Sequence, residues 1–385
     1  MRAFLSSFHS LSAPGRAILS WLIGQSHALP PAIFQGFDAA LLAEMRRHRL
    51  TPVIFTHIKR QGIEGTLPLQ WLEFLQHDYY VSLQTALRQE NDALQVLRAL
   101  AAAGIEVFLL KGADLRLRLY DDPAARPMAD LDLLVPPEVL PQARTALFRL
   151  GYSISPDCLG PRPGFREKFR VSLHFNPPPD RNLMVDLHWQ IEAVANFYRL
   201  PYESLRRHAI PWDYVGVPLK VLAPEHLLIH LCLHNYDEMD QALQIIDLCL
   251  VLKRFSLDWG LFLAEAARLR CQAPLYLMLE QLAQFIPQAV PPPVLVFLGH
   301  YRPSRLERLA INESLNPVFR LLAPLAHCGR PRDWIVYLTA LLWPHQDYLR
   351  ALYGMRTRVP YLRQALASFL PFVKKIICLS PLLRK

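Results

Sequence analysis

Long uncharged apolar runs are missing from this 385-residue chain, although 52% of its residues are hydrophobic and only 19% are charged. No stretch of about 18 uncharged apolar residues occurs, so no membrane-spanning helix is expected. The apolar piece at residues 17–24 follows Arg16 and is interrupted by polar residues, unlike the continuous apolar segment of a signal peptide. We therefore expect a cytoplasmic protein.

Paired cysteines are missing as well. The six cysteines are scattered without a CxxC pair, which gives no zinc signature and argues against a disulfide framework. There is also no dense stripe of Lys and Arg interleaved with aromatic residues, so nucleic acid is a possible but not a favoured partner. The 42 Lys and Arg against 33 Asp and Glu give a net charge of +9, which favours anionic partners in general.

The apolar pattern divides the chain into three parts. Residues 1–103 have helical spacing, and a long helix over 69–103 is expected to end at Gly104. Residues 104–200 mix helical stretches with short apolar runs that are typical of strands. From about residue 201 to 385 the helical spacing returns, with one helix expected from Pro224 to about Phe255.

Four runs in the central part are predicted to be strands, at residues 105–110, 131–135, 169–175 and 183–188. The fold class predicted is therefore α+β, with a small mixed β-sheet core flanked by N-terminal and C-terminal helical regions.

Two aspartates on one strand, Asp130 and Asp132, are the most informative feature of the chain. Residues i and i+2 of a strand point to the same side, and two neighbouring carboxylates repel each other unless a cation lies between them. The sequence Val185-Asp186-Leu187-His188 offers a third carboxylate, Asp186, on another strand. Such a set predicts a divalent metal and phosphate chemistry, since two bridged Mg²⁺ ions can neutralise a triphosphate and position an attacking hydroxyl.

These motifs resemble the nucleotidyltransferase superfamily that includes DNA polymerase β. More narrowly, they resemble an uncharacterised bacterial group of nucleotidyltransferase family proteins. The resemblance is carried by an apolar-Lys-Gly motif at residues 109–112, by Arg126 followed by the Asp-x-Asp pair, and by Val185 to Trp189. The matching stretches are 103–115, 120–135, 185–189, 227–247 and 344–353.

The resemblance implies catalytic and metal-binding roles for Asp130, Asp132 and Asp186, with Asp186 assisting deprotonation of the acceptor hydroxyl. It also implies that Gly112 lies in a turn where the backbone approaches the triphosphate. The cofactors implied are Mg²⁺, as two ions, and an NTP substrate, taken to be ATP.

Four further residues are candidates for binding the nucleotide. Lys111 and Arg126 can contact phosphate, although Lys111 alternatively is a solvated charge and Arg126 alternatively forms a local salt bridge. His188 shares a strand face with Asp186 and supports it. His234 belongs to a set with His226 and His230 at spacing i, i+4, i+8, for which zinc binding, packing, and, by the resemblance, lining of the nucleotide or acceptor pocket are alternatives.

The function predicted is transfer of an NMP unit from the NTP to a hydroxyl of a small molecule, peptide or protein. Two alternatives stay open: a tRNA- or RNA-modifying enzyme of the toxin type, and a non-catalytic nucleotide-binding scaffold of the same fold. The basic and apolar segment 362–383 is either a membrane-surface helix or a terminal packing helix.

Overall fold

A computed structural model describes residues 10–25, 31–158, 160–194, 196–238, 241–314 and 316–354, with the single residues 359, 363 and 367. The first helices of these ranges are Ala13–Leu22 (α1), Ala39–Arg47 (α2), Thr51–Gln61 (α3) and Leu69–Ala102 (α4). The expected helical character of the N-terminal region is thus confirmed for the described residues. The basic and apolar segment 362–383 lies outside the described residues, except for residues 363 and 367.

Helix α4 is 34 residues long and joins two apolar cores. Its first half contributes Trp71 and Leu75 to the core that also contains α1–α3, and its second half contributes Val96 and Leu100 to a core under the sheet. The helix ends at Ala102, and Gly104 has a φ of +70°, the left-handed conformation that glycine adopts most easily. The predicted end of this helix is confirmed.

Within the described residues nine short strands follow, with bounds Phe108–Leu109 (β1), Asp130–Leu134 (β2), Ser153–Ile154 (β3), Ser172–Asn176 (β4), Met184–His188 (β5), Gln190–Ala193 (β6), Tyr198–Pro201 (β7), Ile210–Tyr214 (β8) and Val217–Val221 (β9). Seven of them form one sheet in the order β3-β4-β5-β2-β1-β9-β8, and β6 and β7 pair separately. In the large sheet β2 runs parallel to β5 and β1 runs parallel to β9, while the other pairs are antiparallel. The α+β class with a mixed sheet is confirmed.

The strands alternate between an apolar face and a polar face. Leu131 and Leu133 of β2 and Leu187 of β5 pack into the core beneath the sheet. Helix α4 and the helix Leu140–Arg149 contribute to the same core. Since alternate residues of a strand point to opposite faces, Asp130 and Asp132 lie on the other face. The helices among the strands are Lys111–Leu119 (α5), Leu140–Arg149 (α6), Phe165–Phe169 (α7) and Tyr202–Arg206 (α8).

The expectation that the chain is helical from about residue 200 is wrong for β8 and β9. These strands form a hairpin in which Tyr214 pairs with Val217 across a two-residue turn. Both turn residues have positive φ, +52° at Val215 and +79° at Gly216. A two-residue turn with positive φ at both positions matches the twist of antiparallel strands. Val-Gly is an unusual sequence for such a turn, because a β-branched residue seldom adopts positive φ. Strand β9 then pairs with β1 at the centre of the sheet.

Two other boundaries also differ from the expected ones. Phe169 ends helix α7 instead of beginning a strand, and β1 is limited to two residues. The single helix expected from Pro224 to about Phe255 is instead two helices, Pro224–Glu238 and Ala242–Arg254. Gln241 caps the start of the second helix, and its N–H donates to Oε1 of Gln244 at 3.1 Å.

The C-terminal helices are Pro224–Glu238 (α9), Ala242–Arg254 (α10), Trp259–Arg268 (α11), Gln272–Phe285 (α12), Pro292–His300 (α13), Arg305–Asn312 (α14), Pro317–Leu322 (α15), Pro331–Leu342 (α16) and Gln346–Tyr353 (α17). Within the described residues, no helix combines the length and the apolar character needed to cross a membrane. The five cysteines of the described ranges are free thiols, as expected. The division into parts 1–103, 104–200 and 201–385 stays a prediction.

Candidate functional site

Two carboxylates meet at the centre of the sheet. Asp132 and Asp186 are register partners on the parallel strands β2 and β5, and both are buried. Their neighbours along each strand are apolar and point into the core on the opposite face. The alternation therefore places two acidic side chains next to each other on the polar face, where like charges repel unless cations compensate them.

His188 lies between these carboxylates. Its Nε2 is 3.1 Å from an oxygen of Asp132 and 3.0 Å from an oxygen of Asp186. Burial opposes a charge on the imidazole, but the attraction of Asp186 and the hydrogen bonds to both aspartates raise the pKa of His188 to about 9. The expectation that His188 shares the strand face of Asp186 is confirmed, and its positive charge offsets part of the repulsion.

Lys111 supplies a second cation. It begins helix α5 directly after β1, with a φ of +43°, and its Nζ donates a hydrogen bond of 2.7 Å to Oδ1 of Asp132. Burial acts against the charge, but Asp132 and Asp186 together raise the pKa of Lys111 above its usual value. Lys111 is therefore an ion-pair partner of the site and not a solvated surface charge.

Gly112 lies in the first turn of α5, and the positive φ of this turn belongs to Lys111 instead. A side chain at Gly112 would meet Cβ of Met128 at 3.0 Å. The close approach of the loop before β2 therefore disfavours a side chain at this position. An approach of the Gly112 backbone to a triphosphate stays a prediction.

Asp130 stands beside the pair at the start of β2, partly exposed to solvent. Repulsion from Asp132 and then burial raise the pKa of Asp130 to about 6. Among the described residues, the group with metal-ligand geometry consists of Asp132, Asp186 and His188, whose donor atoms lie within 4.8 Å of one another. Asp130 is not a member of this group, in which His188 accompanies the two aspartates, and metal binding by Asp130 stays a prediction.

Arg126 is held in an ion pair that the sequence did not predict. Its Nη2 lies 2.9 Å from Oδ2 of Asp247 on α10, and its Nε lies within 3.0 Å of both oxygens of the same carboxylate. The hydroxyl of Tyr120 also donates to Asp247 at 2.7 Å. The local salt bridge considered for Arg126 is therefore wrong in its partner, which lies 121 positions away. A phosphate contact by Arg126 stays a prediction.

The three histidines of α9 separate into two groups. His230 and His234 have ring centroids 6.2 Å apart, and burial followed by the charge of Lys111 lowers the pKa of both, that of His234 to about 3. These two neutral rings therefore lie within electrostatic reach of Lys111. His226 instead contacts Oε2 of Glu265 at 2.9 Å. No metal-ligand group of the described residues includes any of the three, so the zinc alternative gains no support.

His174 also lies at the site and was not predicted from the sequence. It is the register partner of Asp186 on the antiparallel strand β4, and its Nε2 lies 3.5 Å from Oδ1 of Asp186. The signal was present in the run Leu173-His174-Phe175, in which a polar residue alternates with buried apolar ones. The position could be recognised only once β4 and β5 were known to pair.

The donor set suits a small hard cation. Carboxylate oxygens are the ligands that Mg²⁺ and Mn²⁺ prefer, and imidazole is acceptable to Mn²⁺ and to later transition metals. Oδ1 of Asp186 is buried and makes no hydrogen bond within the described part of the chain, although His174 lies 3.5 Å from it. A buried carboxylate oxygen without a hydrogen bond is costly, so the residues fit a bound cation.

Two comparisons with known proteins give a match. Residues 38–287 match a family described as uncharacterised nucleotidyltransferase. No curated protein matches the chain significantly. Among solved structures, an antigenic nucleotidyltransferase-like protein from Paracoccidioides brasiliensis is similar, with 15% sequence identity, a TM-score of 0.35, and coverage of 56% of this chain and 94% of that chain. The family match extends from α2 through the whole sheet to α12.

Proposed function

This chain belongs to the uncharacterised nucleotidyltransferase family, and on that premise we propose that it transfers an NMP unit from an NTP to a hydroxyl group. The acceptor class is a small molecule, a peptide or a protein, and pyrophosphate is the leaving group. Mg²⁺ is the proposed metal and ATP the proposed nucleotide. The cytoplasm is the proposed compartment. The DNA polymerase β-like superfamily is the wider group that we infer for it.

The observation that carries the proposal is the pairing of Asp132 with Asp186 on adjacent parallel strands, with Asp130 one side-chain position away. A divalent cation bound by these residues would neutralise the phosphates and align the reacting oxygens. Asp132 and Asp186 would hold it, Asp130 would complete its ligands from the more exposed side, and Asp186 would assist deprotonation of the acceptor hydroxyl.

Cationic and neutral side chains around the carboxylates have complementary proposed roles. Lys111 carries a charge that can attract the triphosphate, and its backbone leads into the close turn at Gly112. His188 keeps the two carboxylates apart and compensates their charge. His234, neutral and near Lys111, is proposed to line the nucleotide pocket. Arg126 is proposed to contact phosphate only through a rearrangement of its ion pair with Asp247.

The test uses the purified full-length chain with Mg²⁺ and ATP labelled at the α-phosphate, followed by the other three NTPs. Small metabolites, peptides and proteins, and total RNA are offered separately as acceptors. We expect release of pyrophosphate and label in the metabolite or protein pool. Asp132→Asn and Asp186→Asn should each reduce transfer at least about a hundredfold, whereas Asp180→Asn, in the exposed loop between β4 and β5, should not.

Two results would redirect the assignment. Label found in RNA and in no other pool would favour the RNA-modifying enzyme. Mg²⁺-dependent NTP binding that survives Asp130→Ala and Asp132→Ala unchanged, without transfer to any pool, would favour a nucleotide-binding scaffold.

A further inference from the structure

A cavity with several charged residues in its wall lies beside the loop that leads into β2. It has a volume of about 270 Å³, and its walls come from the end of α2, the start of α3, the middle of α4, residue 116 of α5 and residues 127–128. The charged residues among its walls are Arg46, Arg49, Asp78 and Arg116. Arg46 donates two hydrogen bonds of 2.8 Å to Asp78 and neutralises it, so two positive charges remain, Arg49 and Arg116.

Arg116 is the most informative of these residues, because it is only 6% exposed. Its Nε donates to the carbonyl of Arg126 at 3.0 Å and its Nη2 donates to Oε1 of Gln89 at 3.1 Å, both neutral groups. Its Nη1 has no hydrogen-bond partner in the described structure. Burying a guanidinium without an anion in contact is costly, so the arrangement lacks a negatively charged partner.

Of the groups that the structure describes, those that face the cavity without a partner of opposite charge are all positive. Burial lowers the pKa of Arg116 to about 10, which still leaves it charged at neutral pH, and Glu90 acts on it only from a distance. Arg49 is partly exposed and has no ion pair with any residue of the described ranges. Helix α3 begins at the cavity with Thr51 and Pro52, and no side chain caps this end, so the positive end of its dipole faces the same space.

The cavity is coupled to the carboxylate site through the backbone. Arg116 donates a hydrogen bond to the carbonyl of Arg126, and Nε2 of Gln89 donates one of 3.0 Å to the carbonyl of Met128. Met128 precedes Asp130 by two residues, a distance of at most about 7 Å along the chain. The cavity therefore adjoins the loop that leads into the carboxylate strand.

We infer that this cavity, lined by Arg49, Arg116 and the start of α3, binds a phosphate group of the acceptor substrate. Two uncompensated cations match the charge of a phosphate monoester, which is close to −2 at neutral pH, better than the single charge of a carboxylate. The inference rests on the proposed function and narrows its acceptor to a phosphorylated molecule that carries a free hydroxyl.

The test measures binding of inorganic phosphate by calorimetry, without turnover, in the presence and absence of Mg²⁺ and α,β-methylene-ATP. We expect saturable phosphate binding that the nucleotide does not displace. Arg49→Gln and Arg116→Met should each weaken it about tenfold or more. Arg149→Gln, an exposed arginine on α6, is the matched control and should bind phosphate like the unaltered chain.

Absence of phosphate binding, or equal binding by Arg49→Gln and the control, would overturn the inference, and Arg49→Gln decides the matter if Arg116→Met does not fold. Competition between phosphate and the nucleotide analogue would also overturn it, because the cavity would then belong to the NTP. Tighter binding of acetate than of phosphate would contradict the phosphate assignment. Failure of nucleotidyl transfer with phosphate binding intact would count against the proposed function alone.

Discussion

Arg126 and Asp247 form a buried ion pair that joins the loop before the carboxylate strand to helix α10 of the C-terminal region. The side chains are only 12% and 2% exposed. Such a pair contributes little when complete, but removal of one partner leaves the other charge buried and unpaired.

Asp247→Asn is therefore expected to lower the free energy of unfolding by about 3–5 kcal/mol, measured by urea denaturation. Asp121→Asn is the matched control, because Asp121 forms exposed ion pairs with Arg60 and Arg254. Its loss should amount to less than about 1 kcal/mol. Equal losses for the two variants would contradict a special role of the buried pair.

Metal binding is expected to depend on both members of the central carboxylate pair. Asp132→Asn or Asp186→Asn should each weaken Mn²⁺ binding at least about tenfold, because each removes one charged ligand from the group that includes His188. Electron paramagnetic resonance of free Mn²⁺ measures this directly. Asp180→Asn is the control and should bind Mn²⁺ like the unaltered chain. Unchanged Mn²⁺ binding in both Asp132→Asn and Asp186→Asn would exclude the pair as a metal site.

Gly112→Ala is expected to destabilise the fold by about 1–2 kcal/mol, because the new methyl group would lie 3.0 Å from Cβ of Met128. The contact atom belongs to the base of the side chain and cannot rotate away. Gly65→Ala is the comparison, since nothing lies within 4 Å of the added carbon there, and it should change stability by less than about 0.5 kcal/mol. Thermal unfolding of both variants measures the difference, and equal midpoints would contradict the steric argument.

The stability of the C-terminal region should depend on pH, because Glu265 has a lowered pKa there. The hydrogen bond from Arg268, opposed by partial burial and assisted by His226, lowers the pKa of Glu265 from its usual 4.5 to about 2. A carboxyl group whose pKa is lower in the folded state stabilises the protein above the unfolded pKa, and loses this contribution as pH falls from 4.5 towards 2.

Glu265→Gln should accordingly lower stability by about 1–2 kcal/mol at pH 7, and the deficit should shrink by pH 3. Denaturant unfolding at several pH values measures it, with the exposed Glu138→Gln as a control that shows no such trend. A deficit that stays constant from pH 7 to pH 3 would rule out the ionised carboxylate as its source.

Local patterns were sufficient to predict the helical N-terminal region, the end of α4 near Gly104 and the Asp-x-Asp strand. Alternation along a single strand shows which residues share a face, and this correctly grouped His188 with Asp186. The positions of Asp132 and Asp186 as register partners depend on parallel pairing between strands more than fifty residues apart, which no local signal specifies.

The same limit explains what was missed. His174 reaches the site through the pairing of β4 with β5, and the ion pair of Arg126 with Asp247 depends on the packing of α10. The hairpin of β8 and β9 was hidden by its Val215-Gly216 turn, because the residues that normally mark such turns are absent. Tertiary contacts, and not the composition of each segment, determine these features.

The length of α4 restricts how this protein can be divided for experiments. One uninterrupted helix of 34 residues, about 50 Å long, carries Trp71 of one core near its beginning and Leu100 of the other near its end. A truncated chain starting after residue 103 would leave the sheet without the helix that covers its apolar face, and would expose leucines that promote aggregation. Any shortened version intended to retain the sheet must therefore begin upstream of Leu69.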